Sequence, residues 1–310
     1  MRILVTGGAG FIGSNLAKRL ARDGHDVVAA DSFLSASWTN LIDFAGDVLT
    51  LRDHDDVDSM IALGQFDVIF HQASITGVIA ADGSSTSDPR KMLRNNVETF
   101  RKLLNWAVET KARIVWASSC SVYGRGPVPM REDHKPDPLN TYAFSKVCME
   151  RLAAAYRAKL LEPIVGLRYS NVYGPGEDHK GKLASMIHQL ARQMRAGRRP
   201  RIFTSGQQRR DFVHIDDVVD ANLCAMKSRE SGVFNAGRGK SWSFNEVVAE
   251  LNRALNTDLK PEYFENPYGF TQDWTETDQL LAREKIRYEP KIDLREGIER
   301  YHASGKLGVS

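Results

Sequence analysis

A tyrosine and a lysine stand four residues apart, at Tyr142 and Lys146, and this spacing could carry acid–base chemistry. They follow a Pro-Leu-Asn break at 138–140, where the sequence predicts that a helix begins. Because residues four apart share one helix face, the ammonium would lie beside the phenol and stabilise a phenolate. A phenol with an ordinary pKa of about 10 could then act as a base at neutral pH. Without other signals, a solvent-exposed pair is the simpler interpretation.

A block of serines lies upstream of this pair, directly after an apolar run at 114–117. The block reads Ser118-Ser119-Cys120-Ser121 and leads into Val122-Tyr123-Gly124. A hydroxyl at the end of a strand could hydrogen-bond the substrate oxygen that Tyr142 deprotonates. The serine block therefore favours redox chemistry on an alcohol over a surface pair.

Glycines recur at every third residue after the first predicted strand, at Gly7, Gly10 and Gly13, with Phe11 and Ile12 inside the run. A helix pattern follows, so the run would form a tight turn between strand and helix. The helix amino terminus would offer N–H groups and a positive dipole end to a pyrophosphate. This context favours dinucleotide binding over a purely structural turn.

The second predicted strand ends at Asp31, where a carboxylate could accept hydrogen bonds from the adenosine ribose hydroxyls. Capping of a turn is the alternative role. Neither Arg nor Lys occurs in the stretch 32–43, which favours NAD over NADP, although Ser32 could accommodate NADP. Asp47 and Val48, expected in a loop after a short third strand, could hold the adenine edge.

The fourth predicted strand ends in His71, followed by Gln72 and Ala73. Ligands of open α/β sheets collect at such carboxyl ends, so Ala73 is a candidate cofactor contact. For His71 itself, a packed strand-end histidine is the favoured interpretation.

The elements that must position these groups alternate along the chain. Short apolar runs occur at 3–5, 27–30, 68–71, 114–117 and 164–167, with helix patterns between them. This order predicts an α/β fold of Rossmann type, a doubly wound parallel sheet in residues 1–168, with segments near 211–235 returning to it. Residues 169–310 would mainly form a smaller, mixed α/β substrate-binding lobe. The helix patterns at 92–110 and 142–161 would cover the sheet or pair with a second subunit.

Composition limits the possible partners. The 310 residues carry a formal charge of +3, far from the concentrated positive field of a nucleic-acid-binding protein. The chain shows neither a secretory signal nor an apolar run of membrane-spanning length. Three scattered cysteines suggest neither a disulfide framework nor a metal site. We therefore expect a cytoplasmic enzyme without a metal, a nucleic-acid partner or a membrane partner.

Together, the glycine run, the serine block and Tyr-x-x-x-Lys resemble the extended short-chain dehydrogenase/reductase family of nucleotide-sugar enzymes. The resemblance implies that Ser119 takes the catalytic serine role and that Asn96 lies near the cofactor. Dehydratase and decarboxylase branches of the family carry acidic residues where this chain has Cys120 and Ser121. What survives is epimerisation or plain reduction.

A second strip, 168–175, resembles the whole family, in which its asparagine, here Asn171, contacts the sugar-nucleotide. His179-Lys180-Gly181 is narrower and resembles the branch that epimerises C6″ of an ADP-heptose. This resemblance implies that Tyr142 removes the C6″ hydroxyl proton while hydride passes to the nicotinamide. Lys180 would then protonate the aldehyde from the opposite side as the same hydride returns. An ordinary surface lysine is the alternative for Lys180.

Substrate contacts are expected from Asn171, His179, Lys180, Arg210 and Tyr268. A guanidinium forks onto phosphate oxygens, which makes Arg210 a candidate diphosphate ligand. The loop around Tyr268 fits the family pattern in more than one register.

Three alternatives stay open at this point. One is a UDP-hexose 4-epimerase, in which a single tyrosine suffices. Another is a 3,5-epimerase/reductase that uses Cys120 and His179 as an acid–base pair. The third is a non-catalytic dinucleotide sensor, against which the intact catalytic set argues. A homo-oligomer is expected in each case.

Overall fold

A parallel sheet of seven strands lies at the centre of the computed structural model, which describes residues 1–77, 88–266 and 272–309. The strands are β1 (Arg2–Thr6), β2 (Asp26–Asp31), β3 (Asp47–Thr50), β4 (Val68–His71), β5 (Arg113–Ser119), β6 (Ile164–Tyr169), β7 (Asn171–Tyr173), β8 (Arg201–Phe203), β9 (Arg209–Arg210), β10 (Phe212–His214), β11 (Gly232–Ala236), β12 (Trp242–Ser243) and β13 (Glu262–Phe264). The central order is β11-β6-β5-β4-β1-β2-β3, so the strand order reverses between β1 and β4. The predicted doubly wound α/β fold is confirmed.

Helices cover both faces of this sheet. They are α1 (Phe11–Arg22), α2 (Val57–Ile61), α3 (Pro89–Leu93), α4 (Thr99–Thr110), α5 (Thr141–Tyr156), α6 (Met186–Arg195), α7 (Ile215–Lys227), α8 (Phe244–Leu255), α9 (Leu280–Ile286) and α10 (Leu294–Ala303). One apolar core packs α1, α7 and α9 on the sheet, and a second packs α2, α4 and α5 on the opposite face. Because β4 and β6 are buried on both faces, most of their residues are apolar and do not alternate with polar ones.

The helix predicted over 92–110 is longer and less regular than its spacing indicates. It begins at Pro89, where Asp88 caps the first turn by accepting from the Arg90 amide. A π-helical segment, Arg94–Glu98, separates α3 from α4. Such a bulge changes which side chains face the neighbouring elements, and here it buries Asn96.

The later part of the chain divides between two regions. Helices α6, α8 and α10 enclose a third apolar core together with residues of β7 and β10. However, α7 packs on α1, and β11 pairs in parallel with β6. Helix α9 also packs against β11 and α7, so part of the region expected in the substrate-binding lobe lies on the large sheet.

Over 1–77, 88–266 and 272–309, no helix combines the length and apolar character needed to cross a membrane. Within the same ranges, no group of three His, Cys, Asp or Glu side chains could hold a metal ion.

Candidate active site

A cleft of about 520 Å³ opens at the carboxyl ends of β1, β4, β5 and β6, where the strand order reverses. Most of the predicted site residues line it: Gly7, Gly10, Phe11, Ile12, Gly13, Asp31, Ala73, Ser119, Tyr142, Lys146, His179 and Lys180. The cleft thus joins residues from widely separated parts of the chain. Such a crevice is where open α/β sheets bind nucleotides.

The glycine run forms a turn that other residues could not form without rearrangement. Gly7 has φ +67°, and a Cβ on Gly13 would lie 2.1 Å from the Gly7 carbonyl oxygen. Helix α1 begins at Phe11, and its first i to i−4 bond is donated by the Ser14 amide to Gly10. The amides of Phe11, Ile12 and Gly13 precede that bond and are available to an anion at the helix terminus.

Asp31 performs the turn-capping role that stood as an alternative. Its Oδ2 accepts from the Ala9 amide at 3.0 Å, and its Oδ1 accepts from the Phe33 amide at 2.9 Å. Each carboxylate oxygen can accept a further bond, so capping does not exclude ribose binding. Ser32 Oγ lies 3.1 Å from His54 Nδ1, which gives that hydroxyl a partner within the protein.

The expected placement of Asp47 and Val48 is wrong. They do not follow the third strand but begin it, paired with Val28 and Ala29. Asp31 pairs with Thr50, so it is the other end of β3 that lies near the cleft. A shift of three residues along a strand moves a side chain by about 10 Å. The polar residues next to β3 could not fix its position that closely.

Asn96 and His71 lie behind the cleft. The Asn96 side chain accepts from the Ile75 amide at 2.8 Å and donates to the Ile75 carbonyl at 3.1 Å and to Ser145 Oγ at 3.0 Å. It thereby ties the loop after β4 to α5. His71 Nδ1 lies 2.8 Å from Thr6 Oγ1, and burial lowers the pKa of His71 to about 3. These contacts agree with a packed histidine.

Tyr142 and Lys146 lie on one face of α5. Asn140 caps this helix by accepting from the Ala143 amide at 2.8 Å, which sets the helix start as the sequence indicates. Lys146 Nζ donates to the Ala117 carbonyl at 2.8 Å and lies 5.5 Å from the centre of the Tyr142 ring. Ser119 hydrogen-bonds Tyr142, which brings the three predicted catalytic groups together.

The electrostatics of this group differ from expectation. Burial raises the pKa of Tyr142 to about 12, with the Ser119 hydrogen bond acting in the opposite direction. Burial also lowers the pKa of Lys146 to about 7, with the charge of Glu150 acting in the opposite direction. The protein groups alone therefore do not make the phenol more acidic, because burial outweighs its neighbours. A positive charge beside the phenol, such as an oxidised nicotinamide, would shift this balance toward the phenolate.

Lys180 reaches the cleft from a short 3-10 helix, Asp178–Leu183. Its Nζ lies 5.4 Å from the centre of the Phe11 ring. Burial lowers the pKa of Lys180, and the charge of Glu177 opposes that shift. The adjacent His179 is held through Nδ1, which lies 3.1 Å from Asn40 Nδ2. The segment 178–183 is thus anchored to the glycine-turn side of the cleft.

Glu177 organises the segment that carries Lys180, and no sequence signal pointed to it. Its buried carboxylate accepts from the Gly174 amide at 3.2 Å and from Ser185 Oγ at 2.8 Å. Burial raises the pKa of Glu177, while the Ser185 hydrogen bonds act to lower it. This carboxylate closes the loop between β7 and α6.

Neither Asn171 nor Arg210 lines the main cleft. Asn171 Nδ2 donates to the Asp211 carbonyl at 3.1 Å. The Arg210 guanidinium lies 5.8 Å from the centre of the Phe244 ring, and burial lowers its pKa to about 10. Tyr268, the last predicted substrate contact, lies outside the described residues.

Cys120 is poorly placed for acid–base work. Its Sγ donates to the Arg168 carbonyl at 3.2 Å, and burial raises the pKa of the thiol. His179 lines the cleft but Cys120 does not. The geometry therefore gives no support to a 3,5-epimerase/reductase that pairs these two residues.

The sequence profile of the NAD-dependent epimerase/dehydratase family matches residues 3–237, and the chain belongs to this family. The predicted NAD cofactor and the predicted isomerase activity, that of a nucleotide-sugar epimerase, are confirmed at this level.

Individual relatives are also similar over nearly the whole chain. An ADP-L-glycero-D-manno-heptose-6-epimerase from Brachyspira hyodysenteriae is 37% identical, with 96% of each chain covered. The crystal structure of the enzyme of that name from Helicobacter pylori is 36% identical, with a TM-score of 0.89 over 98% of this chain and 95% of that one. A UDP-glucose 4-epimerase from Thermotoga maritima, solved with UDP-glucose, is 29% identical, with a TM-score of 0.88 over 97% of both chains.

Proposed function

We propose that this chain epimerises C6″ of an ADP-glycero-manno-heptose by transient oxidation and hydride return. The observation that carries the proposal is that two acid–base side chains line one cleft from different elements, Tyr142 from α5 and Lys180 from the 178–183 helix. When only the bond beside the reacting carbon turns and the rest of the sugar stays in place, reaction on both faces of that carbon needs a proton-transfer group on each side. The similarity to two heptose epimerases, 37% and 38% identical, supports the same choice.

Tyr142 removes the proton of the C6″ hydroxyl, with Ser119 holding the same oxygen. NAD supplies the hydride acceptor of this step and the hydride donor of the return step. The alcohol carbon loses hydride and becomes an aldehyde, which turns about the adjoining carbon–carbon bond. Lys180 then protonates the aldehyde oxygen as hydride returns to the other face. Because burial lowers its pKa, Lys180 gives up a proton more readily than an exposed lysine.

The same residues would hold the cofactor as the sequence indicates. The glycine turn and the amino end of α1 suit the pyrophosphate, and Asp31 suits the adenosine ribose. Ala73 lies directly beside Gly7 of that turn, on the loop that Asn96 secures. We assign neither Asp47 nor Val48 to the adenine, since both lie at the far end of β3.

The substrate diphosphate would be bound by Arg210 and Asn171, which are adjacent through the Asp211 backbone. A half-buried guanidinium is a strong ligand for phosphate oxygens because little water competes for it. His179, beside Lys180, is placed to contact the sugar. Tyr268 stays a proposed contact from the sequence pattern alone.

We also propose that the protein is a cytoplasmic homo-oligomer. Phe144 on α5 is 45% exposed, and α4 lies beside α5. A second subunit could cover that pair of helices. The three cysteines are free thiols, in agreement with a reducing compartment.

One substrate screen tests the proposed reaction. The purified protein with NAD is incubated in deuterated water with an ADP-heptose and, separately, with UDP-hexoses, and the products are analysed by mass spectrometry and NMR. We expect epimerisation of the ADP-heptose at C6″ without deuterium on carbon, because the same hydride returns. Turnover of a UDP-hexose alone would show a 4-epimerase. Deuterium on carbon would show proton exchange beside a ketone.

A further inference from the structure

Three successive turns of α5 each hold one of the last three residues of β5. The pairs are Tyr142 with Ser119, Lys146 with Ala117, and Glu150 with Ser118. The first two pairs contain the groups to which we assign the chemistry. The third pair completes the same row of contacts: Ser118 lines the cleft, whereas its partner Glu150 does not.

The carboxylate of Glu150 is fixed from two directions. Its Oε1 accepts from Ser118 Oγ at 2.7 Å, and Arg168 donates to both carboxylate oxygens, each at 2.8 Å. Arg168 is the β6 partner of Ser118 in the sheet register. The side chains of Glu150 and Arg168 are only 11% and 6% exposed, so water screens this arrangement weakly.

Charged and titratable groups reach Lys146 from several elements. Tyr142 and Glu150 lie one turn away on α5, on either side, and His71 approaches from β4. Arg168 stands on β6 behind Glu150. His71 stays neutral near pH 7 because burial lowers its pKa to about 3. The negative charge that favours the Lys146 ammonium against burial is that of Glu150.

We propose that Glu150 is a positioning residue that aligns α5 on the end of β5 and, through its negative charge, favours the ammonium form of Lys146. The inference rests on the proposed function, since it matters only if Tyr142 and Lys146 carry the reaction. It extends that function by assigning a role to an ion pair that touches neither substrate nor NAD.

Two variants separate the two parts of this role. Ser118→Ala removes the hydrogen bond and leaves the charge of Glu150 in place. Glu150→Gln alone would leave Arg168 buried without an anion, so the charge is removed in the double variant Glu150→Gln/Arg168→Gln. Removing the Arg168 cation by itself would raise the pKa of Lys146. A lower pKa of Lys146 in the double variant therefore reports the loss of the Glu150 charge. Glu98→Gln, in an exposed pair with Arg101, is the control.

Each variant is purified with NAD, and Lys146 is titrated by NMR on protein containing lysine isotopically labelled at Cε. The signal of Lys146 is assigned with Lys146→Arg. The pH dependence of kcat/KM is measured on the same samples. In the double variant we expect the Lys146 midpoint and the alkaline limb of kcat/KM to move to lower pH by about one unit. In Ser118→Ala we expect kcat to fall several-fold with both midpoints at the parental pH.

A Lys146 midpoint at the parental pH in the folded double variant overturns the charge role, and a parental kcat in Ser118→Ala overturns the alignment role. Both outcomes are distinct from failure of the proposed function. That failure would appear as Tyr142→Phe turning over the ADP-heptose at the parental rate.

Discussion

The two walls of the cleft are built in different ways. The wall on the large sheet consists of regular elements, the end of β1 leading into α1 and the face of α5 against β5. The other wall is made of short segments around 170–183. Backbone hydrogen bonds within strands and helices hold the first wall. The second wall needs other groups to satisfy its loops.

Buried carboxylates provide those groups. Asp211 accepts from the Arg238, Gly239 and Thr277 amides and from Ser170 Oγ, which joins three separate segments. Glu177 does the same for the loop that carries Lys180. Burial raises the pKa of both carboxyl groups, since water is excluded around them. The sheet side is therefore stabilised by many small contacts, and the substrate side by a few hydrogen-bonded buried carboxylates.

We call Asp211 and Glu177 the carboxylate hubs. Removing one of them should have the largest effect on the second wall. Asp211→Asn keeps the shape but turns an acceptor oxygen into a donor that faces amide groups. We expect the free energy of unfolding to fall by about 3 kcal/mol and epimerisation to be lost with it. Chemical denaturation measures the first effect. Asp258→Asn, at an exposed aspartate paired with Lys260, should leave stability within about 0.5 kcal/mol of the parent.

The catalytic contribution of the substrate wall is tested at Lys180. In Lys180→Met a long, flexible side chain is kept and the acid is lost. We expect kcat to fall about 100-fold, in the range typical of a missing general acid, with little change in the free energy of unfolding. Steady-state kinetics with the substrate that the parent protein epimerises measure kcat. The exposed Lys182→Met is the matched control, and equal losses in the two variants would mean that Lys180 is only a surface charge.

The sheet wall is tested at the glycine turn. A Cβ in Gly13→Ala would collide with the Gly7 carbonyl oxygen, a backbone atom that cannot move aside cheaply. We expect the free energy of unfolding to fall by about 2 kcal/mol and NAD binding to weaken. Calorimetry measures both effects. In Gly10→Ala the nearest atom would be 3.2 Å away, so the stability loss should be clearly smaller. Equal losses would mean that crowding at Gly13 is not the cause.

The smallest expected effect concerns pH. Hydrogen bonds from Arg52 hold the pKa of Asp56, the cap of α2, well below its ordinary value. The stabilisation of the folded state by the charged Asp56 carboxylate is therefore present above about pH 4 and is lost as the pH falls below that value. Asp56→Asn should lose about 1 kcal/mol at pH 7, discounted because Arg52 is exposed, and less at pH 3. Denaturant unfolding at both pH values checks this.

The two carboxylate hubs should respond with the opposite sign. Their pKa values are raised in the folded protein, so protonation favours the folded state as the pH falls toward the ordinary carboxyl range. If Asp56→Asn lost more stability at pH 3 than at pH 7, the opposite signs assigned to Asp56 and to the two carboxylate hubs would be contradicted.

Local spacing accounts for what could be predicted. The strands, the glycine turn and the start of α5 follow from short patterns, and Asn140 caps α5 at the expected place. The third strand was misplaced because β3 is short and exposed, so its register depends on β2 and not on its own residues. For Asn96 the expected cofactor contact gives way to a clamp on Ile75, which depends on the π-helical segment.

The sequence by itself determined the α/β order and the identity of the reacting groups, since strand and helix periods and the four-residue spacing of Tyr142 and Lys146 are properties of neighbouring residues. Only the tertiary structure decided their surroundings. It gave Tyr142 and Lys146 surroundings that move both pKa values, and it brought Lys180 into the same cleft, beside the Phe11 ring. Burial and charge depend on residues far apart along the chain, and no local pattern records them.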